Sequence, residues 1–117
     1  MLGCDIVEIE RVRDAAQKEA FITGVFTQAE RAYYAEHGGK AQTLAGMFCA
    51  KEAVAKALGC GFRGFRPNDI EILHTAQGAP YAVLRGRAAV LFPRVRLEIS
   101  VSHCNDYAMA VCTGHDE

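Results

Sequence analysis

The sequence of 117 residues lacks several features that would place it in a special class of protein. No apolar run approaches the ~20 residues that a membrane-spanning helix needs. The first residues show no charged leader followed by an apolar segment, and no Pro/Gly/Ser-rich linker divides the chain. Since half of the residues are apolar and 23% are charged, the composition is typical of one small globular domain covering residues 1–117.

Cysteine occurs five times but never in a C-x-x-C pair. An odd number of cysteines without such spacing argues against a disulfide framework and against a structural zinc site. Reduced thiols in a cytosol explain this pattern most simply. We therefore expect a cytoplasmic protein with no membrane association.

A large excess of positive charge is also missing, because 13 Lys and Arg face 14 Asp and Glu. Nucleic-acid binders are usually strongly basic, so we expect no nucleic-acid partner. The charges are nevertheless uneven, with a net +4 over residues 60–96 and a net −4 over residues 97–117. The basic middle of the chain could hold a small polyanion or an acidic partner, or it could be an ordinary solvated surface.

The hydrophobic patterning predicts a small α+β domain, in which an antiparallel sheet packs with a long central helix. A buried strand is predicted over residues 2–9, and further strands over 69–74, 81–84, 95–103 and 107–113. Helices are predicted over residues 11–22, 27–37, 41–58 and 86–92. Thr27 and Glu30 have the spacing of a capping box, and Gly59 follows the longest helix as a stop signal.

Asp5 conflicts with its surroundings in the first predicted strand. It shares its side of the strand with Gly3, Val7 and Ile9. A carboxylate among apolar neighbours is costly unless a proton, a cation or hydrogen bonds compensate it. Asp5 is therefore either a residue of an edge strand that faces water or a ligand for a hard cation such as Mg²⁺.

The predicted helix over residues 41–58 carries further charged residues in unusual places. At 100° per residue, Lys51 falls inside the apolar stripe of this helix. Glu52 and Lys56 lie side by side at the edge of the stripe, four residues apart. They could be an ordinary exposed ion pair or part of a site. The opposite side presents small residues that would let another backbone approach closely: Gly46, Ala50, Ala53 and Ala57.

Two weaker signals lie near the ends of predicted elements. His103 ends a strand on its apolar side, where a lone histidine is more often structural than catalytic. The neighbouring Cys104 points to the other face, which argues against a Cys–His dyad. Gly61 belongs to a Gly-x-Gly segment, but this segment follows a helix, whereas phosphate loops usually precede one.

Taken in order along the chain, these residues resemble the holo-acyl-carrier-protein synthase family, the small phosphopantetheinyl transferases of fatty-acid synthesis. The resemblance covers nearly the whole chain. It is carried by the segments GCDIVEI from residue 3, FCAKEAVAKALGCG from residue 48, DIEI from residue 69, QGAP from residue 77 and SVSH from residue 100.

The sequence departs from the family pattern at two positions of the central motif. Met47 stands where the family commonly has an arginine, and Cys49 replaces an alanine. The missing arginine removes an expected contact to the phosphates of the cofactor. Arg63 or Arg66 could compensate for it.

The resemblance implies Mg²⁺-dependent transfer of the 4′-phosphopantetheine group from coenzyme A to a serine of acyl carrier protein, with release of adenosine 3′,5′-bisphosphate. Asp5 and Glu52 would bind the Mg²⁺, for which Mn²⁺ could substitute. Asp5, Glu52 and Lys56 would form the catalytic group, and the general base would be Glu52 or a metal-bound water. Coenzyme A would be bound by Lys56, His103, Gly61 and Pro80.

The resemblance also implies an acidic carrier protein as partner, bound by Arg11 and Arg13, and a homotrimer with active sites shared between subunits. The phosphopantetheinyl transferase fold is the expected architecture. Two other functions stay open at this point. One is a non-catalytic module that binds coenzyme A or carrier protein, and the other is a metal-dependent hydrolase of nucleotide pyrophosphates.

Overall fold

The computed structural model describes residues 1–59 and 61–117. It contains five α-helices and five β-strands among these residues. The elements are β1 (Leu2–Glu8), α1 (Ile9–Ala15), α2 (Glu19–Val25), α3 (Gln28–Glu36), α4 (Ala41–Ala57), β2 (Ile70–His74), β3 (Pro80–Leu84), α5 (Gly86–Leu91), β4 (Val95–His103) and β5 (Tyr107–Asp116). A short 3₁₀ turn, Pro67–Asp69, precedes β2. None of the described helices is long and apolar enough to cross a bilayer.

The strands form two antiparallel sheets. One has the order β1-β5-β4, and the other pairs β2 with β3. In the first sheet Asp5 lies opposite Ala110, which in turn lies opposite Val101 of β4. The predicted α+β fold, with antiparallel strands packed around a long central helix, is confirmed, and the strands divide between two sheets rather than one.

Most of the predicted helix boundaries are confirmed. The capping box of α3 is formed, with the Thr27 amide donating to Glu30 Oε1 at 2.8 Å and the Glu30 amide donating to Thr27 Oγ1 at 3.3 Å. Gly59 follows α4 with a φ of +82°, a conformation that glycine adopts without strain. The single helix predicted over residues 11–22 is wrong, because the extended backbone of Lys18 separates α1 from α2.

Two opposite faces of helix α4 are buried in the protein core. Its apolar stripe, represented by Leu44 and Val54, lies in the core, and so does its small-residue face, represented by Ala50 and Ala53. The small residues let the sheet approach closely, as the sequence predicts. A Cβ at Gly3 of β1 would lie 2.1 Å from the backbone oxygen of Ala53, so only glycine fits there.

The position of Lys51 inside the apolar stripe of α4 is explained by a buried ion pair. Lys51 Nζ lies 2.7 Å from Glu30 Oε1, and the two side chains are 1% and 0% exposed. Lys51 also donates to the carbonyls of Pro67 and Ile70 at 3.0 and 2.6 Å. The Ile72 amide donates to Glu30 Oε2 at 2.8 Å. These bonds tie α3 and α4 to the start of β2.

The expectation that the first strand is buried is wrong for one of its faces. Gly3 is buried against α4, but Leu2 and Ile6 are 71% and 65% exposed. Helix α4 covers one face of the sheet only, so the side chains of the other parity stay open. Together with Tyr107 and Met109 of β5, Leu2 and Ile6 form an exposed apolar surface, called here the outer sheet face.

The close approach of β1 to α4 predicts the effect of Gly3→Ala. The added Cβ would meet the Ala53 oxygen at 2.1 Å and the Ala57 nitrogen at 2.6 Å, so one backbone must move. We expect Gly3→Ala to lower the free energy of unfolding by about 1–3 kcal/mol. Urea denaturation measures this change. Gly24→Ala is the matched control, because beyond the adjacent backbone of α2 no described atom lies within 4 Å of the added Cβ. It should be neutral or stabilise α2 by up to ~1 kcal/mol. Equal midpoints for Gly3→Ala and the wild type would contradict the contact.

Candidate active site

Asp5 and Glu52 are brought together by the packing of β1 on α4, although 47 positions separate them in the sequence. Both line one pocket of about 400 Å³, which also contains Arg11 and Phe48. The side chain of Asp5 is only 17% exposed. β1 is an edge strand of its sheet, but the alternative that Asp5 simply faces water is wrong.

Lys56 completes this group of charges one helical turn beyond Glu52. Its Nζ donates to Asp5 Oδ1 at 3.1 Å and to the carbonyl of Cys4 at 3.0 Å. The hydrogen bond and the charge of Asp5 raise the pKa of Lys56. Burial, followed by the negative charge of Asp5, raises the pKa of Glu52, and Lys56 opposes this effect. Two carboxylates thus share a half-buried pocket with one ammonium group at its rim.

The donor set of this pocket fits one kind of metal better than others. Among residues 1–59 and 61–117, no three His, Cys, Asp or Glu side chains are grouped so that they could hold a metal ion. A zinc site usually needs three or four such ligands. Mg²⁺ is usually held by one or two carboxylates, with waters and substrate phosphates as further ligands. Asp5 and Glu52 fit this second pattern.

Cys49 lies near Asp5 and Glu52, and its thiol is expected to be unreactive. Its side chain is fully buried, and its Sγ donates to the carbonyl of Ala108 at 3.3 Å. Burial, followed by the charge of Asp5, raises the pKa of the Cys49 thiol to about 12. A protonated, inaccessible thiol is a poor target for oxidation. Cys60, the other cysteine of the central motif, lies outside the described residues.

His103 and Pro80 do not lie with the carboxylates. They line a separate cavity of about 380 Å³, together with Met47. Neither Arg63 nor Arg66 lines it, so the structure does not place them as replacements for the family arginine. Gly61 is exposed, has a φ of +57° and lines neither cavity. Within one chain, the predicted site residues thus fall into separate groups.

Sequence reasoning missed further residues of this second cavity. Tyr33, His37, Lys40 and His74 contribute to its lining. They come from α3, from the segment before α4 and from the end of β2. No motif or regular spacing relates them in the sequence. Only the docking of β2 against α3 reveals that they belong together.

The predicted carrier-binding arginines have different environments. Arg11 is exposed and lines the pocket of Asp5 and Glu52. Arg13 forms an ion pair with Glu10 on the same helix and does not line that pocket. Arg11 is therefore better placed than Arg13 to act on a molecule that approaches the carboxylates.

The fold and the paired carboxylates define a small α+β protein with an acidic pocket suited to a divalent cation. The family model of the 4′-phosphopantetheinyl transferase superfamily matches residues 1–112, and the chain therefore belongs to this superfamily.

Named relatives agree with this assignment. The chain is 40% identical over 114 residues to the holo-acyl-carrier-protein synthase of Caldanaerobacter subterraneus subsp. tengcongensis, covering 94% of this chain and 90% of the relative. It is 45% identical over 112 residues to the synthase of Protochlamydia amoebophila, covering 93% and 92% of the two chains. The crystal structure of the Helicobacter pylori synthase in complex with coenzyme A matches with a TM-score of 0.87 and 30% identity, covering 98% of this chain and 100% of that one.

Replacing the two lysines of α4 is expected to lower stability by very different amounts. The Lys56 side chain is 54% exposed, and an exposed ion pair contributes at most ~1 kcal/mol. Lys56→Ala should therefore lower the free energy of unfolding by less than ~1 kcal/mol. Lys51→Ala is the comparison, because it leaves Glu30 buried and unpaired at a cost of about 3–5 kcal/mol. Urea denaturation of both variants tests this difference. Similar losses in the two would contradict the burial that separates them.

Proposed function

We propose that this chain acts as a holo-acyl-carrier-protein synthase. It transfers the 4′-phosphopantetheine group of coenzyme A to a serine of apo acyl carrier protein and releases adenosine 3′,5′-bisphosphate, a reaction that serves fatty-acid biosynthesis. The transferase domain is taken to span residues 1–117. The observation that carries the proposal is the convergence of Asp5 and Glu52 at one pocket, with Lys56 bonded to Asp5, in a member of this superfamily.

To catalyse this reaction, the protein must position the diphosphate of coenzyme A and neutralise its negative charge. The serine oxygen forms a bond to the phosphorus on the pantetheine side of the coenzyme A diphosphate. The bond from that phosphorus to the bridging oxygen breaks, and the bisphosphate leaves with the bonding electrons. The serine proton must pass to a base, and the leaving oxygen must be stabilised.

Glu52 is the proposed base for the serine proton. Its burial and the neighbouring Asp5 raise the pKa of its carboxyl, and a carboxylate with a raised pKa accepts a proton more readily. Lys56 stands one turn away as a cation with a raised pKa. We assign it to the leaving oxygen, where an ammonium group stabilises the charge that develops.

Asp5 and Glu52 are also the proposed holders of Mg²⁺, for which Mn²⁺ would substitute. When bound, the ion would neutralise part of the charge of the diphosphate. The support for this assignment is the donor set, since two carboxylates are what Mg²⁺ commonly takes from a protein.

Coenzyme A is proposed to contact Lys56, Gly61, Pro80 and His103. Since His103 and Pro80 line a different cavity from the carboxylates, we propose a homotrimer in which neighbouring subunits share each active site. The outer sheet face, with Leu2 and Ile6 largely exposed, supplies apolar surface for such an assembly. A sedimentation mass equal to that of one chain would contradict it.

We place the reaction in the cytoplasm, where thiols stay reduced. The cysteines that the structure describes are all free: Cys4, Cys49, Cys104 and Cys112.

Incubation of the protein with coenzyme A, Mg²⁺ and apo acyl carrier protein tests the proposal. We expect the intact mass of the carrier to increase by one phosphopantetheine group. Coenzyme A binding without this increase, across several carriers, would favour the non-catalytic module. Bisphosphate release in the absence of carrier would favour the hydrolase.

Variants of the carboxylates test the metal assignment. Asp5→Ala and Glu52→Ala should each lower kcat by at least about 10²-fold, because charge stabilisation and proton transfer are typically worth that much. Asp5→Asn keeps the shape of the side chain but is a weaker ligand, so Mn²⁺ should restore part of its activity. Direct titration with Mn²⁺ should show weaker binding in Asp5→Asn than in the wild type. Unchanged Mn²⁺ affinity in this variant would contradict the role of Asp5 as a ligand.

The carrier protein is expected to dock beside Arg11. Arg11→Ala should raise the KM for the acidic carrier several-fold at low salt, and the difference from wild type should shrink as salt screens exposed charges beyond ~8–10 Å. Arg13→Ala is the matched control with a smaller effect, because Glu10 already neutralises Arg13. Steady-state kinetics at several ionic strengths measures both. A carrier KM that does not depend on salt would indicate docking through apolar contacts.

A further inference from the structure

The pairing of β1 with β5 leaves one edge of the three-stranded sheet open beside the pocket of Asp5 and Glu52. This sheet has the order β1-β5-β4, so no described strand pairs with the other edge of β1. Ile6 of β1 lines the pocket together with Asp5 and Arg11. The open edge therefore adjoins the place to which the chemistry of the diphosphate is assigned.

The register of the sheet shows which backbone groups face the open edge. Met1 and Gly114 exchange both backbone hydrogen bonds, at 3.2 and 3.0 Å. The pairing then continues residue by residue from Leu2 to Glu8. Because hydrogen-bonded pairs alternate with non-hydrogen-bonded pairs in an antiparallel ladder, Gly3, Asp5 and Val7 bond to β5. The backbone groups of the intervening residues point away from β5, to the open edge: Leu2, Cys4 and Ile6.

Lys56 links this edge to the charges of the pocket. Its Nζ donates to the carbonyl of Cys4 at 3.0 Å and to Asp5 Oδ1 at 3.1 Å. With the ladder assigned in this way, the Ile6 amide and carbonyl have no hydrogen-bond partner among residues 1–59 and 61–117. Unpaired groups on a sheet edge are a template for a further extended segment.

The open edge is a different surface from the outer sheet face. Side chains stand roughly perpendicular to a sheet, whereas the hydrogen bonds between strands lie within its plane. Burial of the Leu2 and Ile6 side chains against another subunit would therefore not by itself satisfy the amide and carbonyl groups at the edge.

The pantetheine arm of coenzyme A has the chemistry that this edge would recognise. It is a flexible chain with two secondary amides, and each amide offers one donor and one acceptor, as a peptide unit does. The arm is attached to the phosphorus that the proposed reaction places at Asp5 and Glu52. An extended chain that starts at this pocket has the unpaired groups of Ile6 beside it. In the other direction along β1, the Cys4 carbonyl is already bonded to Lys56.

We propose that the open edge of β1 binds the pantetheine arm as an added strand. A carbonyl of the arm accepts from the Ile6 amide, and an N–H of the arm donates to the Ile6 carbonyl. The inference rests on the proposed function for the identity of the ligand. It assigns a binding role to the backbone of Ile6, whose side chain offers no polar group. These bonds hold the arm in a fixed direction from the phosphorus while the serine oxygen attacks.

Amide hydrogen exchange of the full chain tests the proposal without any variant, because a hydrogen-bonded amide exchanges more slowly than a free one. Exchange of the Ile6 amide is compared in the free protein, with saturating coenzyme A and with saturating adenosine 3′,5′-bisphosphate, which lacks the arm. We expect coenzyme A to slow this amide by about tenfold relative to the bisphosphate. Equal exchange in the two complexes would overturn the proposal, as would an Ile6 amide that another copy of the chain already protects in the free protein.

Ile6→Pro removes the amide donor, and proline is tolerated on edge strands. We expect the KM for coenzyme A to rise by about 3–10-fold, while the Kd of the bisphosphate and the affinity for Mn²⁺ stay unchanged. Unchanged Mn²⁺ affinity shows that Asp5 keeps its position. Leu2→Pro is the matched control with an unchanged KM, because Leu2 faces the same edge, is largely exposed and does not line the pocket. Equal KM values for Ile6→Pro and the wild type would overturn the role of the Ile6 amide.

The exchange and activity measurements separate the two proposals. A chain that modifies the carrier but shows no protection of Ile6 by coenzyme A retains the proposed function and lacks this binding mode. A chain in which coenzyme A protects Ile6 but no carrier is modified retains the binding mode and lacks the activity. Protection of Ile6 that requires apo acyl carrier protein would assign the edge to the carrier and overturn the role of the arm.

Discussion

The contact between β1 and α4 is the constraint on which the rest of the site depends. At Gly3 the strand lies so close to the helix that a Cβ would fall 2.1 Å from the Ala53 oxygen. This approach needs glycine on the strand and small side chains on the helix. It brings Asp5 and Glu52 to one pocket and lets Lys56 reach Asp5 at 3.1 Å. A wider separation would leave these groups on two unrelated elements.

Helix α4 uses the same residue types for two different purposes. Glu30 and Lys51 are fully buried, and backbone groups of the β2 region and the Thr27 amide take up further hydrogen bonds of the pair. This pair is therefore structural. Glu52, the next residue along the helix, lines an open pocket, and Lys56, one turn after Glu52, is exposed and bonded to Asp5 of that pocket. Burial therefore distinguishes the two lysines, because Lys51 is enclosed in the core while Lys56 remains exposed beside Asp5.

Cys49 and Met47, the two departures from the family pattern, differ in how much they change their surroundings. Cys49 fills its buried position with a protonated thiol and leaves the carboxylates in place. Met47 instead places an uncharged side chain in the cavity of His103. The permanent positive charge in the lining of this cavity comes instead from Lys40, which directly precedes α4.

Local patterns determined much of this protein from the sequence alone. The capping box at Thr27, the stop at Gly59 and the alternation along 95–103 depend on neighbours in the chain, and each of these three features is present. Asp5, Lys51 and Glu52 stood out because a charge in an apolar pattern is costly wherever the chain places it. The family resemblance, which covers nearly the whole chain, likewise needs only the order of the residues.

Tertiary structure alone decided which of those charges meet. The partner of Lys51 is 21 positions away at Glu30, and no periodicity links the two. His37 and His74 meet across Tyr33 because β2 docks against α3. Asp5 and His103 lie on β1 and β4, the two outer strands of one sheet with β5 between them, so the strand order keeps them apart within one chain. Such contacts join residues distant in sequence, and their geometry follows from the packing of whole elements rather than from local propensity.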